Sequence, residues 1–321
     1  MSTFKVEVIE VNKVEKHPNA DNLSITQVYG YPVIFRTGEL RQADLAAYIP
    51  IDAIVPIDKP EFSFLKSPRI RSSKLRGLMS MGLLIKAKPG WVPGQDVTQE
   101  LGVTKYEEKP YLNISGKGNS ENTCIQGPGT IPLYTDVENY RRHTDILRPD
   151  ELVCITEKIH GTNARYCYTG GQLWCGSHKT FKKEGTTLWW DIAKKYDIKN
   201  KLQYHSDLVF YGEIYGYGVQ DMAYGLKEQK LSIFDIFDPV KRRFLDADEM
   251  RTVCAVVGLD AVPHIVTTAW HTGLLDLANG ISLLNSPYRE GIVIKAVPDR
   301  SDPITGRVVL KQHSEEYLLK H

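Results

Sequence analysis

The sequence predicts an α+β fold in which a small N-terminal β-barrel precedes a larger domain built mainly on antiparallel strands. The chain has 321 residues, of which 42% are hydrophobic and 25% are charged, so two hydrophobic cores can form without disulfides or metals. Short strand-like runs broken by Pro and Gly fill residues 1–105, whereas strand-like and helix-like runs alternate beyond residue 129. The change of pattern predicts two domains.

The predicted barrel domain covers residues 1–105. Residues 4–11 and 24–29 alternate apolar and polar side chains, as β-strands with one buried face do. Shorter apolar runs at 53–56 and 83–85 add strands, and only residues 39–48 show a helical period. Many short strands separated by turn residues are typical of a small barrel.

Residues 106–128 are polar and rich in Gly, Pro and Asn, which is typical of a linker, so the second domain is expected at 129–321. Gly170 and Gly171 predict a hairpin turn. Asp246 and Glu249 predict a capped helix N-terminus. Another helix is predicted from five apolar side chains on one face: Leu188, Trp189, Ile192, Ala193 and Tyr196. Strands are predicted at 152–159, 164–168, 173–175, 208–211, 231–237, 291–296 and 308–310.

Charge is balanced overall but uneven along the chain. The 40 Lys and Arg residues oppose 39 Asp and Glu residues, and this net charge of +1 predicts no particular partner. Residues 59–88, however, contain one acid, Glu61, and many basic residues: Lys59, Lys66, Arg69, Arg71, Lys74, Arg76, Lys86 and Lys88. Such a basic stretch favours contact with phosphate groups.

No run of about 18 apolar residues is present, and the first residues lack the hydrophobic segment of a signal peptide. We therefore expect a cytoplasmic protein that does not bind a membrane, and we also expect a monomer. The 5 cysteines include no C-x-x-C pair, which argues against a disulfide framework or a zinc site.

The most informative stretch is residues 157–163, Glu-Lys-Ile-His-Gly-Thr-Asn, where Lys158 ends a strand-like run and meets a glycine-containing turn. A lysine in this setting can be buried and still reachable. Because an ammonium group is not a nucleophile, a catalytic lysine has to lose its proton through desolvation or nearby cations. The alternative interpretation is a lysine that reaches solvent at a strand end.

Later segments carry polar groups that suit the same chemistry. Glu213 follows Gly212 in a Tyr-rich strand, Glu290 precedes a glycine, and Lys311 ends an apolar run. A lysine nucleophile, two carboxylates for a sugar hydroxyl or a hydrated metal, and a cation for phosphate are the parts that phosphoryl-type transfer needs. Glu213 is alternatively an acid at the rim of a sheet, and Phe234 is alternatively a core residue.

Taken in order, residues 157–163, 174–179, 210–216, 233–236, 290–295 and 310–312 resemble the motifs of the covalent nucleotidyltransferase superfamily. Over about residues 130–318 the sequence looks most like ATP-dependent RNA ligases that seal nicks. The resemblance implies an antiparallel, ATP-grasp-like nucleotidyltransferase domain. Lys-Ile-His-Gly-Thr-Asn, residues 158–163, is its most specific part.

The resemblance also implies the residues that would bind the nucleotide. Lys158 would be the nucleophile that attacks the α-phosphate of ATP, with Lys295 and Lys311 on that phosphate. The metal, Mg²⁺ or Mn²⁺, would be bound by Glu290 with Glu213. The other nucleotide-binding residues would be Glu157 and Ile159 near the base, Phe234 stacked on adenine, Glu213 on the ribose hydroxyl and Arg165 near the ribose or phosphate.

The resemblance places Asn163 near the terminal nucleotide of the 3′-OH strand. The sequence departs from the family pattern twice. His313 stands where relatives often have a second basic residue, and the arginine expected near the second motif is missing, which leaves His178 and Lys179 as nucleic-acid contacts.

In the N-terminal domain, residues 17–21 and 74–84 resemble tRNA-binding modules of the OB fold, and some RNA ligases carry an N-terminal OB domain. The resemblance implies a groove in which Arg69, Arg71, Lys74 and Arg76 contact nucleic-acid phosphates. Residues 17–21 are alternatively a turn whose geometry Pro18 and Asn19 determine. Since the sequence ends soon after the last motif, we expect this domain to replace the C-terminal module of some relatives.

The leading interpretation is therefore an ATP-dependent RNA ligase that adenylates a 5′-phosphate and joins it to a 3′-OH RNA end, at nicks in an RNA or RNA/DNA duplex. A GTP-using capping-type nucleotidyltransferase is the nearest enzymatic alternative, although its OB domain normally follows the lysine domain. A non-catalytic RNA-binding adaptor is the alternative from another class. The enzyme is favoured because the nucleophile, both acids and the last lysine are all present in order.

Overall fold

The computed structural model describes residues 4–106, 124–129, 131–134, 137–205 and 208–320. The chain divides into two compact units, Met1–Glu108 with Leu318–His321, and Lys109–Tyr317. Most of the predicted linker, from 107 to 123, lies outside the described residues. The α+β class is confirmed, and nearly all strand pairs are antiparallel. Within the described ranges, no helix has the length and apolar character needed to cross a membrane.

The described part of the first unit consists of short strands and one short helix. These elements are β1 (Glu7–Glu10), β2 (Glu15–Lys16), β3 (Leu23–Val28), β4 (Tyr31–Arg36), β5 (Leu45–Ile49), β6 (Ala53–Ile54), β7 (Ser73–Leu75), β8 (Leu78–Ser80), β9 (Leu83–Lys86), α1 (Thr98–Leu101) and β10 (Thr104–Lys105). They form the sheets β1-β5-β9 and β2-β3-β4 and the pairs β7-β8 and β6-β10.

Strand β5 divides the core of this unit, because its alternate side chains enter two hydrophobic clusters. Ala47 and Ile49 pack with Val6 and other buried residues, whereas Ala46 and Tyr48 join the second cluster. The helical period predicted for residues 39–48 is therefore wrong. A strand buried on both faces carries a continuous apolar run, and such a run lacks the alternation that distinguishes a strand from a helix.

The second unit contains more and longer strands. Its elements are β11 (Cys124–Ile125), β12 (Glu138–Asn139), β13 (Leu152–Lys158), β14 (Thr162–Thr169), β15 (Gln172–Gly176), β16 (Phe181–Lys182), α2 (Leu188–Lys195), α3 (Ile198–Leu202), β17 (Val209–Gly216), β18 (Gln229–Asp238), β19 (Arg243–Phe244), α4 (Ala247–Val257), β20 (His264–Ala269), β21 (Gly291–Ala296), β22 (Ser301–Asp302), β23 (Gly306–Arg307), β24 (Val309–His313) and α5 (Glu315–Lys320). Two 3₁₀ helices occupy Tyr140–Arg142 and Thr272–Ala278.

Two sheets organise this unit. One has the order β11-β16-β15-β14-β17-β18-β19, and the other has the order β12-β24-β21-β13-β20, in which β12 and β24 are parallel. In β14, Ala164 and Tyr166 enter the large cluster that includes α2 and α4 side chains, while Cys167 lies in a smaller cluster on the other face. In β13, Val153 and Ile155 enter a third cluster.

Both predicted helices of this unit are confirmed. The side chain of Thr187 caps α2 by accepting a hydrogen bond from the backbone N–H of Trp190. At α4, Asp246 and Glu249 form a capping box, which satisfies two N–H groups that the helix itself cannot bond. The two helices cover one face of the seven-stranded sheet and leave its other face for the site described below.

Candidate active site

A pocket in the second unit brings together strands of both sheets. Its volume is about 210 Å³. Most of the residues around it belong to β13, β14, β17, β18 and β21 or directly adjoin them. The lining residues are Tyr134, Val137, Thr156, Glu157, Lys158, Ile159, Asn163, His178, Glu213, Phe234, Val262, Val293 and Lys295.

Lys158 reaches this pocket because it is the last residue of β13. Strand alternation places Thr156 and Lys158 on the face opposite to Ile155, which packs in the core. The register pairs Lys158 with Gly291, so the lysine lies beside the start of β21. There its Nζ is 2.5 Å from Oε1 of Glu290, and 25% of the lysine side chain remains exposed.

Two glycines of the motifs allow this close packing. A Cβ atom at Gly161 would lie 2.2 Å from the carbonyl oxygen of Ile214, and one at Gly291 would lie 2.1 Å from that of Gln312. Both distances are shorter than any van der Waals contact. The glycine in Lys-x-x-Gly therefore allows the β13–β14 turn to approach β17, which carries Glu213.

Glu213, which lines the pocket, and Glu290, which lies beside it against Lys158, have opposite titration behaviour. Burial alone would raise the pKa of Glu290, but Lys158 and His313 hold that pKa far below its ordinary value. Burial raises the pKa of Glu213 to about 8; the charge of Lys158 opposes this rise, and Glu290 adds to it. At neutral pH the site therefore contains an ionised Glu290 and a largely protonated Glu213.

Glu290 also fits a divalent cation. Its Oε2 atom is buried and accepts no hydrogen bond from the described residues. Mg²⁺ typically takes one or two carboxylates and completes its shell with waters and substrate phosphates. Across the described ranges no three His, Cys, Asp or Glu side chains cluster as a ready-made metal cage. Glu290, which lies beside the pocket against Lys158, is a carboxylate donor for a metal shared with a phosphorylated substrate, and Glu213 could join it only in its ionised form.

Lys295 and Phe234 meet at the wall of the pocket. The ammonium of Lys295 donates to the backbone carbonyl of Phe234 and lies 3.0 Å from Oδ2 of Asp235. Phe234 contacts the ring of Tyr134 edge to face, with the ring centroids 4.9 Å apart. Lys311 does not border the pocket. It pairs with Val293 in the β21–β24 ladder, and its side chain lies on the same face of β24 as the side chain of His313.

Glu157 lines the pocket, and its expected place near the base stays a prediction. Its backbone borders the pocket, but its carboxylate accepts hydrogen bonds from Ser282 Oγ at 2.5 Å and from the backbone N–H of Leu283 at 2.7 Å. Burial raises the pKa of Glu157, and these two hydrogen bonds oppose the rise.

Arg165 is placed differently from its predicted position near the ribose or phosphate. It is 2% exposed and does not border the pocket. Its Nη1 donates to the carbonyl of Pro132, and its guanidinium lies 4.0 Å from the centroid of the Phe181 ring. Ile159, Asn163 and His178 do border the pocket, whereas Lys179 is exposed outside it.

His160 belongs to the motif at residues 158–163, but no individual role was predicted for it or for Thr156 and Tyr134. His160 is buried, with Nε2 2.8 Å from Asp221 and Nδ1 3.1 Å from the hydroxyl of Tyr317. Thr156 and Tyr134 line the pocket. Alternation from Lys158 would have identified Thr156, but Tyr134 lies in an irregular segment and carries no sequence signal.

In the first unit, three of the four predicted nucleic-acid residues, Arg71, Lys74 and Arg76, are exposed. Arg69 is different. Its Nη2 donates to Asp52 at 2.8 Å, and its guanidinium lies 3.7 Å from the centroid of the Tyr106 ring. Because the charge of Arg69 is already engaged by an acid and an aromatic ring, the prediction of a phosphate contact at Arg69 is corrected to a structural role.

The structure supports the turn alternative for residues 17–21, because the side chain of His17 is buried. It is 1% exposed, and its Nε2 lies 3.1 Å from the carbonyl of Leu75. Asn19 donates to the carbonyl of Arg76 at 3.0 Å. The turn at 17–21 therefore fixes the tip of the β7–β8 hairpin, where Arg76 has φ +47°.

Comparison with known proteins agrees with this geometry. A family model described as RNA ligase matches residues 151–313, and a model of an OB-fold domain matches residues 5–87. No curated protein sequence matches the chain.

Solved structures of an RNA ligase from Naegleria gruberi are similar over the whole chain. The structure with PPi is 23% identical, covers 98% of each chain and has a TM-score of 0.84. A glutamate mutant with AMP and Mn is 24% identical over 98% of each chain, with a TM-score of 0.84. A lysine mutant with ATP and Mn is 23% identical over 99% of each chain, with a TM-score of 0.83. At this identity the likeness establishes a shared fold.

Proposed function

Because the chain belongs to the RNA ligase family, we propose that it joins RNA ends through an adenylate carried on Lys158, with ATP as the source of AMP. The single observation that carries the proposal is the position of Lys158. Lys158 is the lysine of the Lys-x-x-Gly motif at residues 158–161, and it enters a pocket that Glu213 and Lys295 also line, with Glu290 beside it. The solved Naegleria gruberi structures with ATP and Mn support the choice of nucleotide and of a divalent metal.

In the first step, the uncharged amine of Lys158 attacks the α-phosphorus of ATP. A bond from Nζ to phosphorus forms, the bond from phosphorus to the bridging oxygen breaks, and pyrophosphate leaves with that electron pair. A divalent cation bound at Glu290 would supply charge neutralisation for the phosphates. Lys158 has to leave its ion pair with Glu290 before it can react, so the carboxylate also controls when the nucleophile is available.

The rest of the pocket suits AMP. Phe234 and Tyr134 offer an aromatic wall for the base, and a protonated Glu213 can donate a hydrogen bond to a ribose hydroxyl. Lys295, with Lys311 on the neighbouring strand, supplies positive charge for the α-phosphate. Adenine would meet the backbone of Glu157 and Ile159, since the Glu157 carboxylate is bound to Ser282 and to the backbone of Leu283.

The later steps use the same centre. The AMP passes from Lys158 to a 5′-phosphate, and a 3′-OH then attacks that phosphate and expels AMP. Asn163 borders the pocket with a buried Oδ1 that accepts no hydrogen bond from described residues, which suits a contact with the terminal nucleotide of the 3′-OH strand. His178 and Lys179 extend this side of the site. In the first unit, exposed Arg71, Lys74 and Arg76 would bind backbone phosphates.

We further propose that the enzyme acts as a monomer on nicked duplexes. The test is a sealing assay in which the strand on the 3′-OH side, and separately the strand on the 5′-phosphate side, is RNA or DNA. Sealing should require RNA at the 3′-OH side and should be faster on a nicked duplex than on free single strands. Equal sealing of all-DNA nicks, or faster joining of single strands, would contradict the proposed substrate.

A further inference from the structure

Asp235 lies at the centre of a buried charge network behind the pocket wall. It is 1% exposed and does not border the pocket. Oδ2 of Asp235 lies 3.0 Å from Lys295 Nζ and accepts a hydrogen bond from the Tyr134 hydroxyl at 2.7 Å. The guanidinium of Arg307 donates to both carboxylate oxygens of Asp235. Burial would raise the pKa of Asp235, but the two cations hold that pKa below its ordinary value.

Arg307 is fixed on every side. Its Nε donates to Oδ1 of Asp299 at 2.5 Å, and its guanidinium lies 3.7 Å from the centroid of the Phe244 ring. The side chain is 6% exposed and does not line the pocket. Arg307 is therefore connected to the pocket through Lys295 and Tyr134, which both contact Asp235, and its Nη1 also donates to the Tyr134 hydroxyl at 3.4 Å.

The network contains two positive and two negative side chains. Lys295 and Arg307 are the two cations, and Asp235 and Asp299 are the two carboxylates. A bidentate arginine is the stronger partner for a buried carboxylate, because its planar fork matches both oxygens. Without Arg307, Lys295 would be the only cation on Asp235, and in a medium of low dielectric that attraction would hold the ammonium firmly.

We propose that Arg307 is a positioning residue that occupies Asp235 and thereby leaves the Lys295 ammonium free to move onto the α-phosphate of the nucleotide. The proposal rests on the proposed function, in which Lys295 contacts that phosphate. Tyr134 and Phe234 belong to the same arrangement, since the Tyr134 hydroxyl is bound to Asp235 and Lys295 donates to the Phe234 carbonyl. Arg307 touches no part of the substrate itself.

The proposed role of Arg307 can be tested without a nucleotide, because it changes the pKa of Lys295. Burial lowers the pKa of Lys295, Asp235 raises it, and the nearby charge of Arg307 lowers it further. Replacing Arg307 removes a positive charge near the Lys295 ammonium and leaves the negative charge of Asp235 in place. The pKa of Lys295 should therefore rise in an Arg307→Gln variant of the ligand-free protein.

The experiment compares Arg307→Gln with Arg307→Lys and with a matched control, Arg300→Gln. Arg300 makes its own bidentate ion pair with Glu151 in the same unit, and it does not line the pocket. Three quantities are measured: the single-turnover rate of Lys158 adenylation at saturating ATP, the Kd of ATP in a Lys158→Ala background, and the pKa of Lys295 by NMR without nucleotide.

We expect Arg307→Gln to lower the adenylation rate by about 10-fold to 100-fold, to change the Kd by less than about 3-fold and to raise the pKa of Lys295. Arg307→Lys should recover part of the rate because it keeps a cation on Asp235. Arg300→Gln should leave the rate within about 2-fold of wild type even where it lowers the melting temperature to the same extent.

Equal loss of rate in Arg307→Gln and Arg300→Gln, or an unchanged pKa of Lys295, would overturn the proposal. If the wild-type protein itself takes no label from ATP, the proposed function fails. The Lys295 titration would still decide the role of Arg307, because it is measured on the ligand-free protein.

Discussion

Nζ of Lys158 and Oε1 of Glu290 lie 2.5 Å apart, although 132 residues separate them in the sequence. The β13–β21 register creates this contact by pairing Lys158 with Gly291. The proposed nucleophile thus forms an ion pair with the carboxylate that is proposed to bind the metal. A cation at Oε2 of Glu290 would weaken the attraction of the same carboxylate for Lys158, whose Nζ lies at Oε1, and would so couple metal binding to release of the amine.

The first prediction concerns Glu290. Glu290→Gln should lower the rate of Lys158 adenylation by about 100-fold or more, because a neutral amide binds a hard cation weakly and leaves the phosphate charge without its metal. The rate is measured over a range of Mg²⁺ or Mn²⁺ concentrations. Glu151→Gln, which breaks an ion pair with Arg300 elsewhere in the unit, is the control. A wild-type metal dependence in Glu290→Gln would contradict the assignment.

The second prediction concerns the aromatic wall. Phe234→Ala should weaken ATP binding by about 10-fold or more, since stacking on an aromatic side chain contributes about 1–3 kcal/mol per base. Phe234→Leu should show an intermediate loss. Phe237→Leu is the matched control, because Phe237 lies on the same strand but does not border the pocket. The Kd is measured calorimetrically in a Lys158→Ala background, and equal losses at Phe234 and Phe237 would indicate a core effect.

The third prediction concerns the first unit. Replacing Arg71, Lys74 and Arg76 by Gln should weaken RNA binding and reduce the slope of log Kd against log salt concentration by up to about 3, roughly one for each phosphate that is no longer bound. Lys158 adenylation should be unchanged, because the three residues belong to the unit that does not contain Lys158.

The control for this variant removes three other positive charges. Lys5, Lys13 and Lys16 are each paired with a carboxylate, at 3.0, 2.5 and 2.7 Å respectively. Their replacement by Gln should reduce the salt dependence much less, since their charges are already offset. If both triple variants bind RNA equally poorly, only net charge matters and the β7–β8 hairpin has no special role.

The sequence was sufficient for the parts of the molecule that obey a local rule. Strand-like patterns located 11 of the 24 described strands and missed β4, β5 and β20 among others, and the Asp246 and Glu249 pair located α4. The motif residues Lys158, Glu213, Phe234 and Lys295 do meet in one pocket. The resemblance of their motifs to the nucleotidyltransferase superfamily implied one site for these residues, whereas strand patterns alone left Glu213 and Phe234 open to a structural role.

The remaining features depend on contacts between distant segments. The carboxylate of Glu157 is held by residues 282 and 283, and no local pattern connects those positions with Glu157. Arg69 belongs to a basic stretch in sequence, yet Asp52 neutralises its charge in the fold. The helical period at 39–48 failed for a similar reason, because both faces of β5 are buried only after the sheets assemble.

The most direct test of the account is transfer of label from ATP to Lys158. The purified protein is incubated with α-labelled ATP or GTP and a divalent metal, denatured in detergent and analysed for covalently bound label, alongside Lys158→Ala and a control variant of an exposed lysine, Lys183→Ala. We expect a covalent adduct from ATP in the wild type and in Lys183→Ala, and none in Lys158→Ala. Label that survives in Lys158→Ala, label from GTP alone, or no adduct with either nucleotide would contradict the account.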